Sequence, residues 1–204
     1  MVTSNHKQGL KIRRLHPLIG AEVTNVDFNE PLQRSCVEEI HQAWMDFQIL
    51  VFPLQKISDE QHVAVTRKFG EPEIFHQSII KSKFKKEIFR VSNTDEEGRL
   101  MPQSDPIQQQ LSSAKKWHTD SSYRTIPAMG SLLHGVEVSR TGGLTCFTNM
   151  YEVYDALPEQ LRRRIEGKKC RHDFENLSRI TGARKPTEEE RAAMPAIWQP
   201  MVRV

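Results

Sequence analysis

Residues 117–123 of the chain read WHTDSSY, and they place a histidine, His118, two positions before an aspartate, Asp120. In a β-strand, side chains two positions apart point to the same face, so this imidazole and this carboxylate would project together. One histidine and one carboxylate supply two of the three corners of the 2-His-1-carboxylate site that holds Fe(II). We therefore predict that both residues lie on a strand and are metal ligands and catalytic residues.

The spacing alone is weak evidence. The chain has eight histidines, so a His-x-Asp triplet is expected by chance about 0.4 times in a sequence of this size. A surface histidine next to a turn aspartate is the alternative interpretation. The surrounding sequence is needed to distinguish a metal-binding pair from such a surface pair.

The first half of the chain carries signals for helices and buried strands. A serine followed three positions later by Glu or Gln is the spacing of a capping box, and it predicts helix starts at Ser35 and at Ser58. Alternating or continuous apolar runs predict the strands, which are residues 20–26, 49–52 and 88–91.

Residues 94–116 are polar and predict a long surface loop. Beyond this loop the sequence predicts a β-rich region with short helices. Its predicted elements are strands at 129–138 and 144–148 around a turn at 141–143, helices at 153–157 and 158–165, a strand at 169–174, a helix capped by Thr187 and Glu190, and a strand that begins at Pro200. Helices early and strands late predict an α+β fold.

The composition is that of an ordinary globular protein, and we predict a single domain over residues 1–204. Hydrophobic residues make up 37% and charged residues 27% of the 204 positions. The formal charge of +3 predicts neither nucleic-acid nor membrane binding, and the basic run at 162–164 is interpreted as a solvated helix face. The expected partner is a small-molecule substrate, with a homo-oligomer as a further possibility.

The three cysteines (Cys36, Cys146 and Cys170) are widely spaced and odd in number. This pattern argues against a disulfide framework and favours a reducing compartment. No segment is apolar enough for a signal peptide or a membrane span, so we expect a cytoplasmic protein.

Longer motifs give the metal-site hypothesis its context. The WHTDSSY run, Pro127-Ala128 and the run SRTGGLT at 139–145 closely resemble the taurine/2,4-dichlorophenoxyacetate dioxygenase family. The same resemblance extends, in the right order, to other segments: 19–23, 49–52, 69–72, 154–158 and 193–203. It covers nearly all of residues 15–204, and the last segment is most similar to the phenoxyacetate branch.

The resemblance implies a double-stranded β-helix (jelly-roll) core with flanking helices, and Fe(II), 2-oxoglutarate (α-ketoglutarate) and O2 as cofactors. His118 and Asp120 match the first two iron ligands of the family. Thr145 matches a threonine that bonds the distal carboxylate of 2-oxoglutarate, whereas Leu144 departs from the aspartate common before it. Trp117 is expected to pack beside the metal strand or in the core.

Substrate residues follow from the same resemblance. The segment after the Phe-Gly turn and the loop before the metal motif lie over the iron in this family. His76, Asn93 and Ser121 are therefore the candidate substrate ligands, and Lys81 is a weaker one with a solvated surface as its alternative. Ala114 stands where taurine-specific members have an asparagine, which disfavours taurine.

Family members carry a second iron histidine and a 2-oxoglutarate-binding arginine in a segment beyond the match to Val204. We therefore expect the C-terminal jelly-roll strands to be missing and the 204-residue chain alone to be inactive and aggregation-prone. His134 and His172 are the remaining, less favoured candidates for an iron ligand.

The sequence thus predicts a dioxygenase that hydroxylates a small, anionic, aryloxyalkanoate-like substrate with release of succinate and CO2. The alternative is a catalytically inactive, truncated jelly-roll relative that acts as a binding or scaffold protein. A nucleic-acid-binding protein is a third reading, which the small net charge disfavours.

Overall fold

The structure is a computed structural model, and it describes residues 9–74, 85–95, 97–112, 116–181 and 185–203. The chain divides into two units, Met1–Pro72 with Leu133–Pro158 and Glu73–Leu132 with Glu159–Val204. The elements in chain order are β1 (Lys11–Arg14), β2 (Ala21–Thr24), α1 (Arg34–Phe47), β3 (Leu50–Val51), α2 (Asp59–Thr66), α3 (Pro106–Ser112), α4 (Met150–Asp155), α5 (Glu159–Ile165), β4 (Lys169–His172), α6 (Phe174–Thr181), α7 (Glu188–Ala193) and β5 (Ile197–Pro200).

The first unit contains a three-stranded sheet in the order β1-β2-β3. Strand β2 pairs antiparallel with β1, with Ile12 opposite Val23, and parallel with β3, with Ala21 opposite Leu50. Parallel neighbours need a crossover connection, and the segment that contains α1 provides it. Ala21 and Val23 are fully buried and lie two positions apart, so one face of β2 points into the core.

Helices α1 and α2 cover this sheet with an apolar cluster. The buried members are Phe28, Ile40 and Val65, and the half-buried residues packed against them are Leu10, Val26, Leu32, Cys36, Leu50, Phe52, Ile57 and Phe69. The two helices begin differently. Ser58 forms the predicted capping box of α2 with Gln61, whereas α1 begins after Gln33, which makes no side-chain capping bond. The predicted capping box at Ser35 is therefore wrong, because this serine lies inside the first turn.

Helix α4 is attached to the distant N-terminal part of the first unit by its cap. The Asn149 side chain accepts hydrogen bonds from the amides of Tyr151 and Glu152 at the start of the helix. Its amide nitrogen donates to the carbonyl oxygen of Leu18, at 2.8 Å, and to Oε1 of Gln48, at 3.2 Å. One side chain thus satisfies a helix end and connects it to the chain near the sheet.

The second unit contains a two-stranded antiparallel sheet. Cys170 of β4 lies opposite Gln199 of β5, and His172 lies opposite Ile197. The predicted capping box of α7 is present, since Thr187 and Glu190 exchange side-chain and backbone hydrogen bonds. The predicted strand at 169–174 and the predicted helix at 158–165 correspond to β4 and α5.

Other predicted elements differ from the structure. Residues 88–91, 129–138 and 144–148 form no regular strand, helix α3 lies within the predicted loop, and β1 and α6 were not predicted. A strand exists only where a second strand satisfies its backbone groups, and no such ladder is described for these three segments. Val136 and Leu144 are accordingly 83% and 87% exposed.

The mixed helical and strand composition is confirmed. The described residues form the two small sheets and not a closed jelly roll. The prediction of one incomplete domain over 1–204 stays a prediction. In the described part of the chain, no helix is both long and apolar enough to cross a membrane.

Candidate metal centre

His118 and Asp120 face each other, although not on a strand. Residues 117–119 have no regular secondary structure and residues 120–123 form a turn, so the predicted strand is wrong. His118 Nε2 nevertheless lies 3.1 Å from Asp120 Oδ1. The backbone of Ser121 adopts a left-handed conformation, with φ of 55°, directly after the aspartate. The turn, and not a strand pleat, therefore brings the imidazole and the carboxylate together.

The other ring nitrogen of His118 lies 2.7 Å from the carbonyl oxygen of Lys116. A carbonyl oxygen only accepts hydrogen bonds, so Nδ1 carries a proton and donates it. In a neutral imidazole, Nε2 then presents a lone pair toward the carboxylate of Asp120, which when ionised is also only an acceptor. Two facing acceptors repel each other unless a proton or a metal cation lies between them. The contact to Lys116 thus selects Nε2 as the nitrogen that a cation would meet.

Asp120 has a second partner that fixes its orientation. Ser131 Oγ donates to Asp120 Oδ2 across 3.1 Å, while Oδ1 faces the imidazole. The side chains of His118 and Asp120 are 49% and 62% exposed, so a cation has access to them from solvent. A metal-binding carboxylate is commonly oriented by such an outer hydrogen bond.

The separation of the two donor atoms fits a shared metal ion. Donors on neighbouring corners around a small divalent ion, each about 2.1 Å from it, lie about 3 Å apart. The observed 3.1 Å between Nε2 and Oδ1 matches this value. Among the described residues no group of three or more His, Cys, Asp or Glu side chains could hold a metal ion. The described chain thus offers one nitrogen and one oxygen ligand.

The turn after Asp120 is held by Glu73. Ser121 is buried and its hydroxyl donates to Oε2 of Glu73, while the guanidinium of Arg124 pairs with Oε1 of the same carboxylate. The side chains of Arg124 and Glu73 are only 22% and 18% exposed. A second guanidinium nitrogen of Arg124 donates to the carbonyl oxygen of Ile74, at 3.2 Å. Glu73 thus anchors the backbone that carries the metal motif.

Tyr123, in the same turn, packs its ring against Phe174 with 5.4 Å between the ring centroids. Burial raises the pKa of the Tyr123 hydroxyl, and the negative charge of Glu73 adds to this shift. The carbonyl oxygen of Arg124 accepts a hydrogen bond from Gln199 of β5 at 2.8 Å. The turn is therefore held both by a hydrogen bond, from Gln199, and by an aromatic contact, with Phe174.

The structure describes three of the remaining predicted site residues. Thr145 is exposed and belongs to the first unit, whereas His118 and Asp120 belong to the second. Asn93 is exposed, and its carbonyl oxygen accepts from the amide of Met101. Ser121 has Glu73 as its partner. The proposed cofactor and substrate roles of these three residues stay predictions, and His76 and Lys81 lie outside the described residues.

Three further residues were weighed from the sequence. Trp117 is 71% exposed, so the expectation that it packs in the core is wrong. His134 Nε2 lies 3.3 Å from the carbonyl oxygen of Gln55. His172 contacts Cys170 and Ser122. The two histidines thus have partners other than the His118–Asp120 pair.

Sequence analysis missed Ser131 and Glu73. Ser131 follows Asp120 by eleven positions and Glu73 precedes Ser121 by forty-eight. A hydrogen bond over such a separation leaves no periodic signal in a single sequence. The one sequence signal near Glu73 is the segment Gly70-Glu71-Pro72, which directly precedes it and resembles the family turn.

Comparison with known proteins gives the family. The model described as taurine catabolism dioxygenase TauD, TfdA family matches residues 11–204. The α-ketoglutarate-dependent 2,4-dichlorophenoxyacetate dioxygenase of Cupriavidus pinatubonensis is 35% identical over 193 residues, which are 93% of this chain and 67% of that protein. The (S)-phenoxypropionate/α-ketoglutarate-dioxygenase of Sphingobium herbicidovorans is 32% identical over 80% of this chain and 53% of its own length.

Solved structures agree. The crystal structure of AAD-2 in complex with Mn(II) and N-oxalylglycine superposes with a TM-score of 0.78 and 28% identity, and the match covers 96% of this chain and 67% of AAD-2. The chain thus spans between about half and two thirds of the length of these three proteins.

These matches confirm the predicted family and the predicted class of enzyme, an α-ketoglutarate-dependent dioxygenase. The predicted cofactors, Fe(II), 2-oxoglutarate and O2, are accordingly those of the family. A chain whose residues 11–204 match the family model, and which is 35% identical to a relative across two thirds of that relative's length, belongs to the TauD, TfdA family of dioxygenases.

Proposed function

We propose that this chain is part of an Fe(II)- and 2-oxoglutarate-dependent dioxygenase that hydroxylates a small, anionic, aryloxyalkanoate-like substrate and releases succinate and CO2. The observation that carries the proposal is the 3.1 Å approach of His118 Nε2 to Asp120 Oδ1 in a chain of this family. The names of the two relatives, which act on 2,4-dichlorophenoxyacetate and on (S)-phenoxypropionate, support the substrate class.

In this proposal His118 and Asp120 hold the metal. Bound Fe(II) together with 2-oxoglutarate and O2 supplies the oxidising chemistry, which is that of the cofactors and not of the protein. The carbonyl oxygen of Lys116 keeps His118 Nε2 directed at the site, and Ser131 keeps Asp120 Oδ1 directed at it. The protein thus contributes ligand orientation.

The other roles rest on the family resemblance. Thr145 would donate its hydroxyl to the distal carboxylate of 2-oxoglutarate. His76, Asn93 and Ser121 would orient the substrate anion. For Ser121 this requires that its hydroxyl exchange the hydrogen bond to Glu73 for one to the substrate. The third iron ligand and the arginine for 2-oxoglutarate are expected in the part of the relatives' length that this chain does not span.

The larger architecture is part of the same proposal. A jelly-roll core that forms one domain is supported by the match to AAD-2 over 96% of the chain. A reducing, cytoplasmic location is supported by the three cysteines, which are all free thiols. A small-molecule substrate is the expected partner, and a homo-oligomer is compatible with the exposed apolar side chains of residues 129–147.

Metal titration tests the proposal directly. Fe(II) binding to the chain is measured by calorimetry without oxygen, for the unchanged protein and for an Asp120→Ala variant. We expect the affinity to fall at least about tenfold, because one of two ligands is lost. Asp46→Ala is the matched control, since Asp46 is a surface carboxylate of α1 that bonds Gln42.

Equal affinity in the unchanged protein and in Asp120→Ala would remove Asp120 from the site and contradict the proposal. It would also favour the alternative of a non-catalytic relative that acts as a binding or scaffold protein. A loss of affinity in the Asp46→Ala control as well would mean that carboxylates bind the ion unspecifically, which contradicts the proposal too.

A further inference from the structure

Strand β4 carries a thiol and an imidazole side by side. Cys170 and His172 lie two positions apart and therefore on the same face of the strand. The sulfur of Cys170 lies 3.0 Å from Nε2 of His172. Both residues are half-buried, so the pair is neither sealed in the core nor fully solvated. This is the arrangement of a nucleophile next to a base that can accept its proton.

A third group orients the imidazole. His172 Nδ1 lies 3.1 Å from the hydroxyl oxygen of Ser122, in the turn that follows the metal motif. A hydrogen bond between Nδ1 and this hydroxyl holds the ring with Nε2 directed at the sulfur. Cys170, His172 and Ser122 thus form a chain of contacts from nucleophile to base to orienting group, which is the geometric signature of an activated nucleophile.

Among the described residues, the two β5 side chains opposite this pair carry no charge of their own, although Arg203 donates to Oε1 of Gln199. Gln199 lies opposite Cys170 and Ile197 lies opposite His172, and both are uncharged. The charged neighbour on β4, Arg171, points to the other face of the strand and pairs with Asp173 at 3.1 Å. In the described part of the chain, His172 Nε2 is thus the basic group in hydrogen-bond contact with the sulfur, at 3.0 Å.

The other two cysteines differ in their surroundings and serve as internal references. Cys36 belongs to the apolar cluster of the first unit, and burial, followed by the charge of Glu39, raises the pKa of its thiol. Cys146 is exposed. If accessibility alone set the reactivity, Cys146 would react first.

We propose that Cys170 is a nucleophilic thiol and a modification site for small electrophiles, in first place hydroperoxides, with His172 as its base and Ser122 as the orienting group. The thiol proton passes to His172 Nε2, and the sulfur attacks the terminal oxygen of the hydroperoxide. The S–O bond forms as the O–O bond breaks, and the leaving alkoxide takes the proton back from His172. The sulfur is oxidised by two electrons to a sulfenic acid, and the hydroperoxide is reduced to an alcohol.

Alkylation rates test the nucleophilicity on the chain as it is. The folded protein is treated with iodoacetamide at neutral pH, and the label on each cysteine is followed by mass spectrometry. We expect Cys170 to react about tenfold faster than the exposed Cys146, because His172 Nε2, 3.0 Å from the sulfur, can accept the thiol proton as the carbon–sulfur bond forms. In a His172→Gln variant, which keeps a polar side chain but no base, this advantage is expected to disappear. His134→Gln is the matched control and is expected to leave both rates unchanged.

The charge of the reagent separates a proton-accepting histidine from a merely structural one. In the proposed proton transfer His172 gains a positive charge as the sulfur loses its proton, and this charge attracts the anion iodoacetate more than neutral iodoacetamide. The ratio of the two rates is therefore expected to be higher at Cys170 than at Cys146, and to fall to the Cys146 value in His172→Gln. A loss of packing alone would change the rates of reaction with both reagents by the same factor.

Three results would overturn the proposal. The first is a Cys146 that reacts faster than Cys170 in the unchanged protein, a comparison that needs no variant and so no refolding control. The second is an unchanged Cys170 rate in His172→Gln. The third is sulfenic acid, trapped with dimedone after treatment with hydrogen peroxide, at Cys146 but not at Cys170. If His172→Gln loses its circular dichroism spectrum, Ser122→Ala takes its place, and an unchanged Cys170 rate in that variant counts against the proposal.

Discussion

Ser131 donates its hydroxyl hydrogen to Oδ2 of Asp120 across 3.1 Å and leaves Oδ1 of the same carboxylate facing His118. The serine therefore decides which carboxylate oxygen a cation meets. Groups that orient a metal ligand in this way are commonly worth a factor of 10 to 100 in metal affinity.

A Ser131→Ala variant is accordingly expected to bind Fe(II) about tenfold more weakly while the fold is retained. Anaerobic calorimetry measures the affinity, and circular dichroism the fold. Ser139→Ala is the matched control, because in the described structure the Ser139 hydroxyl bonds the backbone of Thr141. The same affinity in both variants would mean that Asp120 does not depend on Ser131 for its orientation.

Glu73→Ala is expected to destabilise the second unit. The change leaves Arg124 without its carboxylate and Ser121 without its acceptor, and both side chains are largely shielded from solvent. Removal of one partner from such a pair costs about 2 kcal/mol or more in the free energy of unfolding. Urea unfolding gives this value.

The control for Glu73 is Glu38→Ala, which removes an exposed ion pair with Arg34 in α1. Exposed pairs of this kind contribute less than about 0.5 kcal/mol. If the two variants lost the same stability, the Glu73 network would be no more important than a surface salt bridge.

The two serines that resemble helix caps are expected to behave differently. Ser58→Ala removes the capping box of α2 and should cost about 1 kcal/mol of stability. Ser35→Ala should cost almost nothing, because α1 begins after Gln33 and Ser35 caps no amide. Thermal or urea unfolding compares them, and a larger loss for Ser35→Ala would contradict the helix boundary.

Stability at alkaline pH is expected to depend on Tyr123. Burial raises the pKa of its hydroxyl in the folded protein, whereas a tyrosine in an unfolded chain has a pKa of about 10. Above about pH 10 the unfolded chain releases this proton while the native state keeps it, so the unfolded state becomes relatively more favourable. The contribution of Tyr123 is complete below that pH and is lost as the pH rises toward its folded pKa.

Tyr123→Phe keeps the ring contact with Phe174 but removes the hydroxyl, and it should flatten the fall in stability above about pH 10. Tyr151→Phe is the control, because Tyr151 is exposed in α4. Denaturant unfolding at a series of alkaline pH values provides the measurement. The same slope in Tyr123→Phe and in the unchanged protein would show that Tyr123 does not cause it.

Local signals in the sequence predicted local structure well. The capping boxes at Ser58 and Thr187 are present because they need only residues three positions apart. Strand β4 lies within the strand predicted at 169–174. The strand predicted to begin at Pro200 is wrong, because the partner strand β5 ends at that residue. Residues 129–138 show the limit, because their apolar pattern is typical of a strand but pairing depends on a second segment that the pattern does not specify.

At the metal site, too, the sequence predicted a local relationship but not the contacts between distant residues. The approach of His118 to Asp120 was predicted from a strand pleat, and a turn with a left-handed Ser121 produces it instead. Both geometries satisfy the same two-residue spacing, so the spacing predicted the proximity but not its cause. The contacts of Ser131 and Glu73 join distant parts of the chain, and a single sequence holds no local trace of them.

The bond from Asn149 to the carbonyl oxygen of Leu18 spans 131 positions. During synthesis from the N-terminus, β1, β2, α1 and β3 can therefore assemble long before α4 emerges from the ribosome, because domains and their parts fold as they become available. Closing so long a loop is slow compared with forming a helix. The first unit is thus expected to wait, with Leu18 and Gln48 still solvated, until the residues of α4 have been translated.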